Sequence, residues 1–345
     1  MINENIDTNL YSRQIGLYGM ETMKKIRKLN IFIYGMRGLG FEIAKNIILA
    51  GPNQVTIYDP NISQINDLTS NFYLSKQDVI NKKRRDEAII KPISELNPNV
   101  SIKLMEGDDL YENIKINLDK IEAKYNVVVI TEFFQREEIT KLNTLCRKNN
   151  IGFIYTALLG IYGFCFVDFG DKFYINDEKG EDPLTYCIES ISNDKKGIVK
   201  IDTTAGIIKL GNEDKVTFKE IEGMTELNNC PPINIKLLSK DSVEIGDTSN
   251  YSKYISGGVM IEAKLKKELY FTSLDERFEI PYTENENIPV QIDYSKRNTN
   301  EMVHIGILAL NDFYKQKNYL PDLNNKSHSE ELISIGKEIY RRKKK

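Results

Sequence analysis

The pattern of hydrophobic and polar positions changes its period twice along the chain, and each part predicts a different architecture. Up to residue 170, short apolar runs such as 31–34 and 127–130 alternate with stretches whose apolar residues recur at helical spacing. Strands and helices in alternation favour an α/β domain with a doubly wound, mostly parallel sheet. The run that begins near Phe164 predicts an antiparallel extension of that sheet.

The second part, residues 171–263, has apolar residues at every second position, in short runs bounded by Gly, Asp, Asn or Pro. This pattern is typical of a small β-domain, barrel-like or sandwich-like. Helical spacing returns over residues 264–345, where Ser327 and Glu330 have the spacing of a capping box. Because nothing after the last helix completes the first sheet, we expect the chain to be part of a longer protein.

Residues 29–60 predict one βαβ unit, the element around which the first domain is organised. An apolar strand leads into a turn with glycines at 35, 38 and 40, a helix follows to Ala50, and a second strand ends at Asp59. Glycine at these positions indicates a turn in which the backbone passes close to another group. The unit therefore predicts the first half of a nucleotide-binding fold.

The glycine pattern departs from the dinucleotide-binding motif at one position. Gly35 and Gly40 fit the first and sixth positions, but Arg37 occupies the third, where glycine lets bare backbone approach a pyrophosphate. Asp59 lies 24 residues after Gly35, close to the place of the acid that binds a ribose hydroxyl. We favour a fold kept as scaffold, in which Gly35, Gly38 and Gly40 serve the turn and its packing. A working site in which Arg37 attracts an anion stays open.

Composition and charge exclude several classes of function. The 345 residues are 41% hydrophobic and 28% charged with a net charge of −3, which gives no general case for binding nucleic acid or an acidic membrane. No run of about 18 apolar residues exists to span a bilayer. The polar, acidic first residues are not typical of a secretory signal. These features predict an intracellular protein without a nucleic-acid or membrane partner.

The chemistry-bearing side chains form no evident catalytic or metal-binding group. Cysteines at 146, 165, 187 and 230 have no paired spacing, so we expect reduced structural thiols rather than a disulfide or zinc framework. His304 and His328 are far apart, and we predict that neither is catalytic. The charge run at 82–85 predicts a solvated helix face, and Arg13, taken alone, predicts a solvated surface side chain.

Several segments, in their order along the chain, resemble the amino-terminal part of the ubiquitin-activating enzyme family. They are residues 11–14, 38–51, 67–74, 222–227, 246–252 and 304–310, and the match covers nearly the whole chain. The resemblance implies an inactive adenylation domain of Rossmann-like, ThiF/MoeB-type fold at 1–170, a first catalytic-cysteine half-domain at 171–263, and part of a four-helix bundle at 264–345. In this family the last two pieces are inserted into the inactive domain.

The family has two related adenylation domains, one working and one degenerate, and this sequence lacks what the working copy needs. Arg37 replaces the middle glycine, Asn61 the second acid, residues 69–71 an Asn-Arg-Gln segment, and Phe134 the magnesium ligand. A phenylalanine cannot hold magnesium, which takes oxygen ligands. The resemblance thus implies that this chain has no cofactor or metal of its own, while ATP and magnesium bind in the active half of the full enzyme.

The resemblance also implies a role for Arg13. In the family, the arginine of the 11–14 segment crosses to the active domain and touches the γ-phosphate of its ATP, and Arg13 matches that position. The implied partners are ubiquitin, the active adenylation domain of the same polypeptide and, through the full enzyme, ubiquitin-conjugating enzymes. The acceptor cysteine of the family lies in a later segment outside this chain, and the implied location is cytoplasmic and nuclear.

The implied function is the scaffold half of an ATP-dependent ligase that forms ubiquitin adenylate and then a ubiquitin thioester. Alone, this part is expected to be inactive. A regulatory subunit of the heterodimeric SUMO-activating enzyme is the nearest alternative, although the 246–252 segment argues against it. An NAD-dependent oxidoreductase is an alternative of another class, and Arg37 weighs against it. A non-enzymatic ubiquitin-binding module is the third alternative.

Overall fold

The computed structural model describes residues 6–343 except 106, 108, 113–123, 161, 176–179, 213, 229, 280–298 and 323. The chain divides into two compact units. The first consists of Met1–Phe173 together with Tyr270–Lys345, and the second is Tyr174–Leu269. The helical segment at the end of the chain therefore belongs to the same unit as the first sheet.

A six-stranded sheet forms the centre of the first unit. Its strands are β1 Asn30–Tyr34, β2 Gln54–Tyr58, β3 Ser101–Leu104, β4 Val127–Ile130, β5 Gly152–Leu159 and β6 Tyr162–Asp168. They lie in the order β3-β2-β1-β4-β5-β6, with β1 to β5 parallel and β6 antiparallel to β5. A mostly parallel sheet with an antiparallel extension confirms the prediction.

Helices connect these strands and position the edge of the sheet. They are α1 Ser12–Tyr18, α2 Met20–Ile26, α3 Gly38–Ala50, α4 Lys76–Ile80, α5 Arg85–Ser94 and α6 Arg136–Lys148. The predicted helix at Lys82 begins only at Arg85, because Arg84 is extended (φ −62°, ψ 149°). Gly51 caps the carboxyl end of α3 with a φ of 84°, in the left-handed region, and a Cβ there would lie 2.7 Å from the Tyr11 ring.

Helices cover both faces of the sheet, so its central strands are buried and rich in β-branched residues. Alternate residues of β1 point to opposite faces: Ile31 and Ile33 join one core cluster, and Phe32 joins the other. The first cluster contains apolar residues of α3 and α5, and the second contains those of α6 and the last helices of the chain. Helices on both faces match the predicted doubly wound arrangement.

The helices at the end of the chain are α7 Leu274–Glu279, α8 Thr299–Lys317 and α9 Lys326–Lys343. The predicted capping box of Ser327 and Glu330 is wrong, because α9 already begins at Lys326. Asn325 caps the helix instead, since its Oδ1 accepts the backbone N–H groups of Ser327 (3.0 Å) and His328 (3.3 Å). Asparagine at this position satisfies donors that the first turn of a helix leaves unpaired.

The second unit is built on an antiparallel, barrel-like sheet of seven strands. The strands of this part of the chain are β7 Phe173–Ile175, β8 Thr185–Ile191, β9 Gly197–Ile201, β10 Lys215–Glu222, β11 Ile233–Asn234, β12 Lys236–Leu237, β13 Ser242–Gly246, β14 Ser256–Glu262 and β15 Lys267–Leu269. The sheet order is β11-β10-β14-β8-β9-β13-β12, and β7 pairs separately with β15. Alternate residues such as Val216 and Phe218 are buried, which confirms the predicted β-domain.

None of the helices in the described part of the chain combines the length and the apolar character that crossing a bilayer requires.

Candidate functional site

The loop after β1 meets the end of β2 at the carboxyl edge of the sheet. Gly35 has a φ of 92°, and its N–H donates to the Tyr58 carbonyl (2.8 Å). The next N–H, of Met36, donates to the Asp59 carboxylate (2.8 Å), and Asn71 Nδ2 donates to the Met36 carbonyl (3.1 Å). Buried polar groups therefore hold this loop from both sides.

Close packing accounts for the glycines of this loop. A Cβ on Gly40 would lie 1.9 Å from the Gly35 carbonyl oxygen and 2.6 Å from Thr131 Oγ1, so the first turn of α3 rests directly on the loop. A Cβ on Gly38 would lie 2.6 Å from Ser70 Cβ. Each of these glycines thus has a packing reason that requires no ligand.

Both carboxylate oxygens of Asp59 are used within the protein. Oδ2 accepts the Met36 N–H, and Oδ1 accepts the backbone and side-chain N–H groups of Asn61 (3.0 Å each). Arg85 Nη1 lies 3.4 Å from each oxygen, and the Asp59 side chain is fully buried. A ribose hydroxyl would have to displace donors that this buried carboxylate needs. Asp59 therefore anchors the loop instead of offering a free sugar ligand.

Arg85 lies in a different environment from the one that the sequence predicted. It belongs to the charge run expected on a solvated face, but its side chain is only 1% exposed. Its Nε donates to Asp67 Oδ2 at 2.7 Å, in addition to the contact with Asp59. Burial opposes the charged form of Arg85, but the bond with Asp67 and the charges of both acids outweigh it and raise the pKa. A charged guanidinium therefore occupies the space beside Asp59.

A signal for this burial is present in the sequence. Arg85 precedes Ile89 and Ile93 by four and eight residues, and all three are buried on one side of α5. Arg85 therefore lies at the helical spacing of the buried isoleucines, which is the sequence signal for its burial. Lys82 and Lys83, which precede the helix, are exposed as expected.

A second ion pair supports the first at the end of β2. Arg84 Nη2 donates to Asp86 (2.7 Å), and the Arg84 guanidinium lies 5.2 Å from the centroid of the Tyr58 ring. The fully buried Asp86 carboxylate also accepts the backbone N–H of Asp59 (2.9 Å). The backbone of Asp59 is therefore fixed as firmly as its side chain.

Arg37 occupies the mouth of the cleft. Its side chain is 54% exposed, with Nε 3.9 Å from Asp67 and 3.8 Å from Glu132. These distances exceed hydrogen-bond length, and Glu132 Oε1 is buried with no hydrogen-bond partner among the residues that the structure describes. Burial raises the pKa of Glu132, and the charge of Arg37 opposes that rise. No motif in the sequence marks Glu132, which follows β4.

A cavity of about 750 Å³ lies in front of these groups. Aromatic side chains form much of its wall, namely Tyr34, Phe133, Phe134, Tyr314 and Tyr319. The charged side chains that line it are Arg37, Arg85, Glu132 and Glu138. The helix α8 supplies Tyr314, so the last part of the chain closes one side of the cleft.

The residues of the cleft do not fit a nucleotide with its magnesium ion. Magnesium needs several oxygen ligands, and within the described ranges no three His, Cys, Asp or Glu side chains are grouped to hold a metal. Phe134 packs edge-on against Tyr34, with ring centroids 4.9 Å apart, and offers no ligand atom. A polyphosphate would also meet the buried carboxylate of Glu132, and Asp59 has no free oxygen.

Arg13 lies outside the cleft, beside the other end of α3. Gln14 Nε2 donates to the Leu49 carbonyl (3.2 Å), about 17 Å along the helix axis from Gly38. Arg13 is exposed and forms no hydrogen bond or ion pair within the described part of the chain. No residue of α1 is buried, and Leu17 is 70% exposed. The structure thus groups the glycine loop, Arg37 and Asp59 but leaves Arg13 on a separate surface.

The cysteines are all free thiols with different surroundings. Cys146 is buried, and burial raises the pKa of its thiol to about 12. Cys165 and Cys187 are exposed, and Cys230 is half-buried. The expectation of structural thiols therefore suits Cys146 best.

Both histidine rings contact backbone groups. His304 Nε2 lies 3.2 Å from the Phe278 carbonyl. His328 Nδ1 accepts the backbone N–H of Asp322 (3.1 Å). These contacts are structural, at the end of α7 and at the start of α9.

Two stretches of the chain match known domain families. Residues 194–264 match the family described as "Ubiquitin-activating enzyme E1 FCCH domain". Residues 266–340 match the family described as "Ubiquitin-activating enzyme E1 four-helix bundle". The first match lies inside the second unit, and the second covers α7, α8 and most of α9.

Curated proteins are similar to nearly the whole chain. "Ubiquitin-like modifier-activating enzyme 1" of Dictyostelium discoideum is 36% identical over 337 residues, which are 98% of this chain and 32% of the relative. "Ubiquitin-like modifier-activating enzyme 6" of Homo sapiens is 36% identical over 97% of this chain and 31% of its own length. "Ubiquitin-activating enzyme E1 2" of Arabidopsis thaliana is 35% identical over 98% of this chain and 30% of its own length. The chain spans about a third of the length of these relatives.

Proposed function

The chain belongs to the family of ubiquitin-activating enzymes, and we propose that it forms the part of such an enzyme that supports adenylation without performing it. The complete enzyme would use ATP to make an adenylate of the ubiquitin carboxyl terminus and pass it to a cysteine outside this chain as a thioester. The first unit would be a degenerate adenylation domain of Rossmann-like, ThiF/MoeB-type fold. The strand order β3-β2-β1-β4-β5 supports that assignment. ATP and magnesium would bind in the active half alone.

The observation that carries this proposal is the burial of Arg85 between Asp59 and Asp67. Adenylation brings a carboxylate onto the α-phosphate, so two anions must approach each other, and metal ions and cations must face the reacting groups. Here the buried cation faces two carboxylates of the protein itself. Asp59 has no free oxygen, and Phe134 offers no metal ligand. We therefore expect the chain alone to be inactive.

Exchange of labelled pyrophosphate into ATP in the presence of ubiquitin tests this expectation. The chain alone should give no exchange above the level without protein. Adding the remaining part of the enzyme should produce exchange that depends on both ATP and ubiquitin. Exchange catalysed by the chain alone would overturn the proposal.

We further propose that the surface of α1 packs against the active adenylation domain, and that Arg13 reaches the γ-phosphate of ATP held there. Three observations support this. Arg13 is exposed, it has no partner among the described residues, and exposed apolar side chains surround it in sequence: Leu10, Leu17 and Tyr18 are at least half exposed. Grouped exposed apolar side chains are typical of a protein interface, and an arginine guanidinium is suited to binding phosphate.

The substitution Arg13→Ala in the complete enzyme tests this role. We expect pyrophosphate exchange to fall about 10²-fold, because one charge-stabilising donor is lost from the reacting phosphates. Lys25→Ala is the matched control, since Lys25 is another exposed cation near the start of the chain, on α2. Unchanged pyrophosphate exchange in Arg13→Ala would refute the proposed contact of Arg13 with ATP. An equal loss in Lys25→Ala would show that the loss is not specific to Arg13.

We propose ubiquitin as the partner of the second unit, and ubiquitin-conjugating enzymes as partners through the complete enzyme in cytoplasm and nucleus. The match of residues 194–264 to a domain family of ubiquitin-activating enzymes supports this choice. Titration of labelled ubiquitin with the full chain should give saturable binding, and labelled SUMO should not bind. Binding of SUMO in place of ubiquitin would favour a regulatory subunit of a SUMO-activating enzyme.

A further inference from the structure

The cleft at the carboxyl edge of the sheet lacks the features that bind a nucleotide, yet it keeps a cavity of about 750 Å³. We propose that this cavity binds an organic cation that carries a guanidinium or primary ammonium group. This inference is independent of the role proposed for the chain in ubiquitin activation. Three properties of the cavity lead to it: its charge, an unpaired acceptor and its aromatic wall.

The charge of the cleft is negative. The carboxylates that line it or lie directly behind it outnumber the guanidinium groups by two: Asp59, Asp67, Glu132 and Glu138 against Arg37 and Arg85. Arg85 is already compensated by two acids, and Arg37 lies at more than hydrogen-bond distance from its neighbours. The remaining field repels a phosphate and attracts a cation, more strongly in a partly enclosed site than in water.

An acceptor in the cavity lacks a donor. Glu132 Oε1 is buried and has no hydrogen-bond partner among the described residues, and Arg37 Nε remains 3.8 Å away. Glu138 is exposed at the rim, with no ion pair to any residue within the described ranges. Buried acceptors in proteins are normally paired. The Glu132 side chain is 20% exposed and lines the cavity, so a ligand N–H would bond to its carboxylate there, and Glu138 would add charge attraction.

The aromatic wall makes the cavity suitable for an organic cation. Tyr34 and Phe134 pack with centroids 4.9 Å apart, and Phe133 and Tyr314 with centroids 5.8 Å apart. The negative faces of such rings attract guanidinium and ammonium groups, and their flat surfaces bury an alkyl chain. A bare metal ion would leave most of this volume unused, and the described residues offer no metal-binding group.

The cation has two natural sources: a free small molecule, or an arginine or lysine side chain of a bound polypeptide. Calorimetric titration of the full chain separates them with four probes. Agmatine represents the small molecule, and acetyl-Gly-Arg-Gly-amide represents the side chain. The same peptide with citrulline has the shape without the charge, and tripolyphosphate represents an anion. All four are measured at one ionic strength, because screening weakens charge attraction.

We expect agmatine, the arginine peptide or both to bind, and the citrulline peptide to bind at least about fivefold more weakly. Binding of agmatine alone assigns the site to a small molecule, and binding of the peptide assigns it to a protein side chain. Either result supports the proposal. Failure of both cations to bind, equal binding of the citrulline peptide, or tighter binding of tripolyphosphate would overturn it.

Variants of the lining residues test whether the cation binds in this cavity and whether negative charge there attracts it. Glu132→Gln should weaken cation binding about fivefold or more, whereas Arg37→Ala should tighten it by a similar factor. Glu21→Gln, at an exposed acid on α2, is the control that should change nothing. If Glu132→Gln does not fold, Arg37→Ala still tests the charge preference of the site. The Arg37 side chain is 54% exposed, so its removal should leave the fold intact. Weaker cation binding in Arg37→Ala would contradict the site.

Discussion

Arg85 Nε and Asp67 Oδ2 lie 2.7 Å apart inside the first unit, and their ion pair joins the start of α5 to the turn that follows β2. The two residues are 18 positions apart in the sequence. Their side chains are 1% and 7% exposed, so each charge depends on the other for compensation. The same guanidinium reaches Asp59, and through Asp59 it holds the glycine loop.

Replacing Arg85 should destabilise the protein strongly. In Arg85→Met the buried carboxylates of Asp59 and Asp67 lose their cation, and we expect the free energy of unfolding to fall by about 3–5 kcal/mol. Urea denaturation followed by circular dichroism measures the change. Lys83→Ala is the control, since the Lys83 side chain is 47% exposed and its ion pair should contribute less than about 1 kcal/mol. Similar losses in both variants would show that burial of Arg85 is not decisive.

Two glycine-to-alanine substitutions should have opposite signs. The added methyl of Gly40→Ala meets the Gly35 carbonyl oxygen at 1.9 Å, so we expect a loss of about 3 kcal/mol or more in the free energy of unfolding. Gly16 lies inside α1 with nothing within 4 Å of a Cβ, so Gly16→Ala should stabilise the helix by up to about 1 kcal/mol. Thermal unfolding of both variants measures the two changes. A Gly40→Ala variant as stable as the unchanged protein would contradict the close contact between Gly40 and the Gly35 carbonyl oxygen.

Stability should fall in mild acid because of His304. Burial lowers its pKa, and the charges of Lys343 and Arg136 lower it further against Glu279 and the Phe278 carbonyl. The folded pKa is thus below the ordinary value of about 6.5, so the unfolded chain binds a proton first. The stability that neutral His304 contributes is fully present above about pH 6.5, and it is lost as the pH falls from there through the folded pKa. Between pH 8 and pH 5 the melting temperature should decrease less in His304→Gln than in the unchanged protein. The same decrease in both proteins would contradict this role of His304.

The thiols should differ in reactivity. Cys146 is buried with a pKa raised to about 12, so its thiolate is scarce and inaccessible at pH 8. Cys187 is exposed and should react with iodoacetamide at least about 100-fold faster. Mass spectrometry of digested peptides after timed labelling gives both rates, with urea-unfolded protein as the control in which the rates converge. Rapid labelling of native Cys146 would contradict its burial.

Local patterns were sufficient for much of the fold. The apolar run of β1 predicted a buried strand, and Gly51 predicted the end of α3. The switch to alternating apolar positions predicted the antiparallel sheet of the second unit. Such features depend on neighbours a few positions away, which the sequence displays directly. Even locally, a competing side chain changed one outcome, because Asn325 caps α9 in place of Ser327.

The sequence by itself determined the strands of the first sheet, most helices and the loss of the third glycine at Arg37. Only the tertiary structure decided what the charges do. Arg85 is buried because Asp67 and Asp59, 18 and 26 positions earlier, meet it at the edge of the sheet. Glu132 reaches the same cleft from the end of β4. The cost of removing a charge from water, and its compensation, depend on which distant segments the fold brings together, and no periodicity along the chain records that.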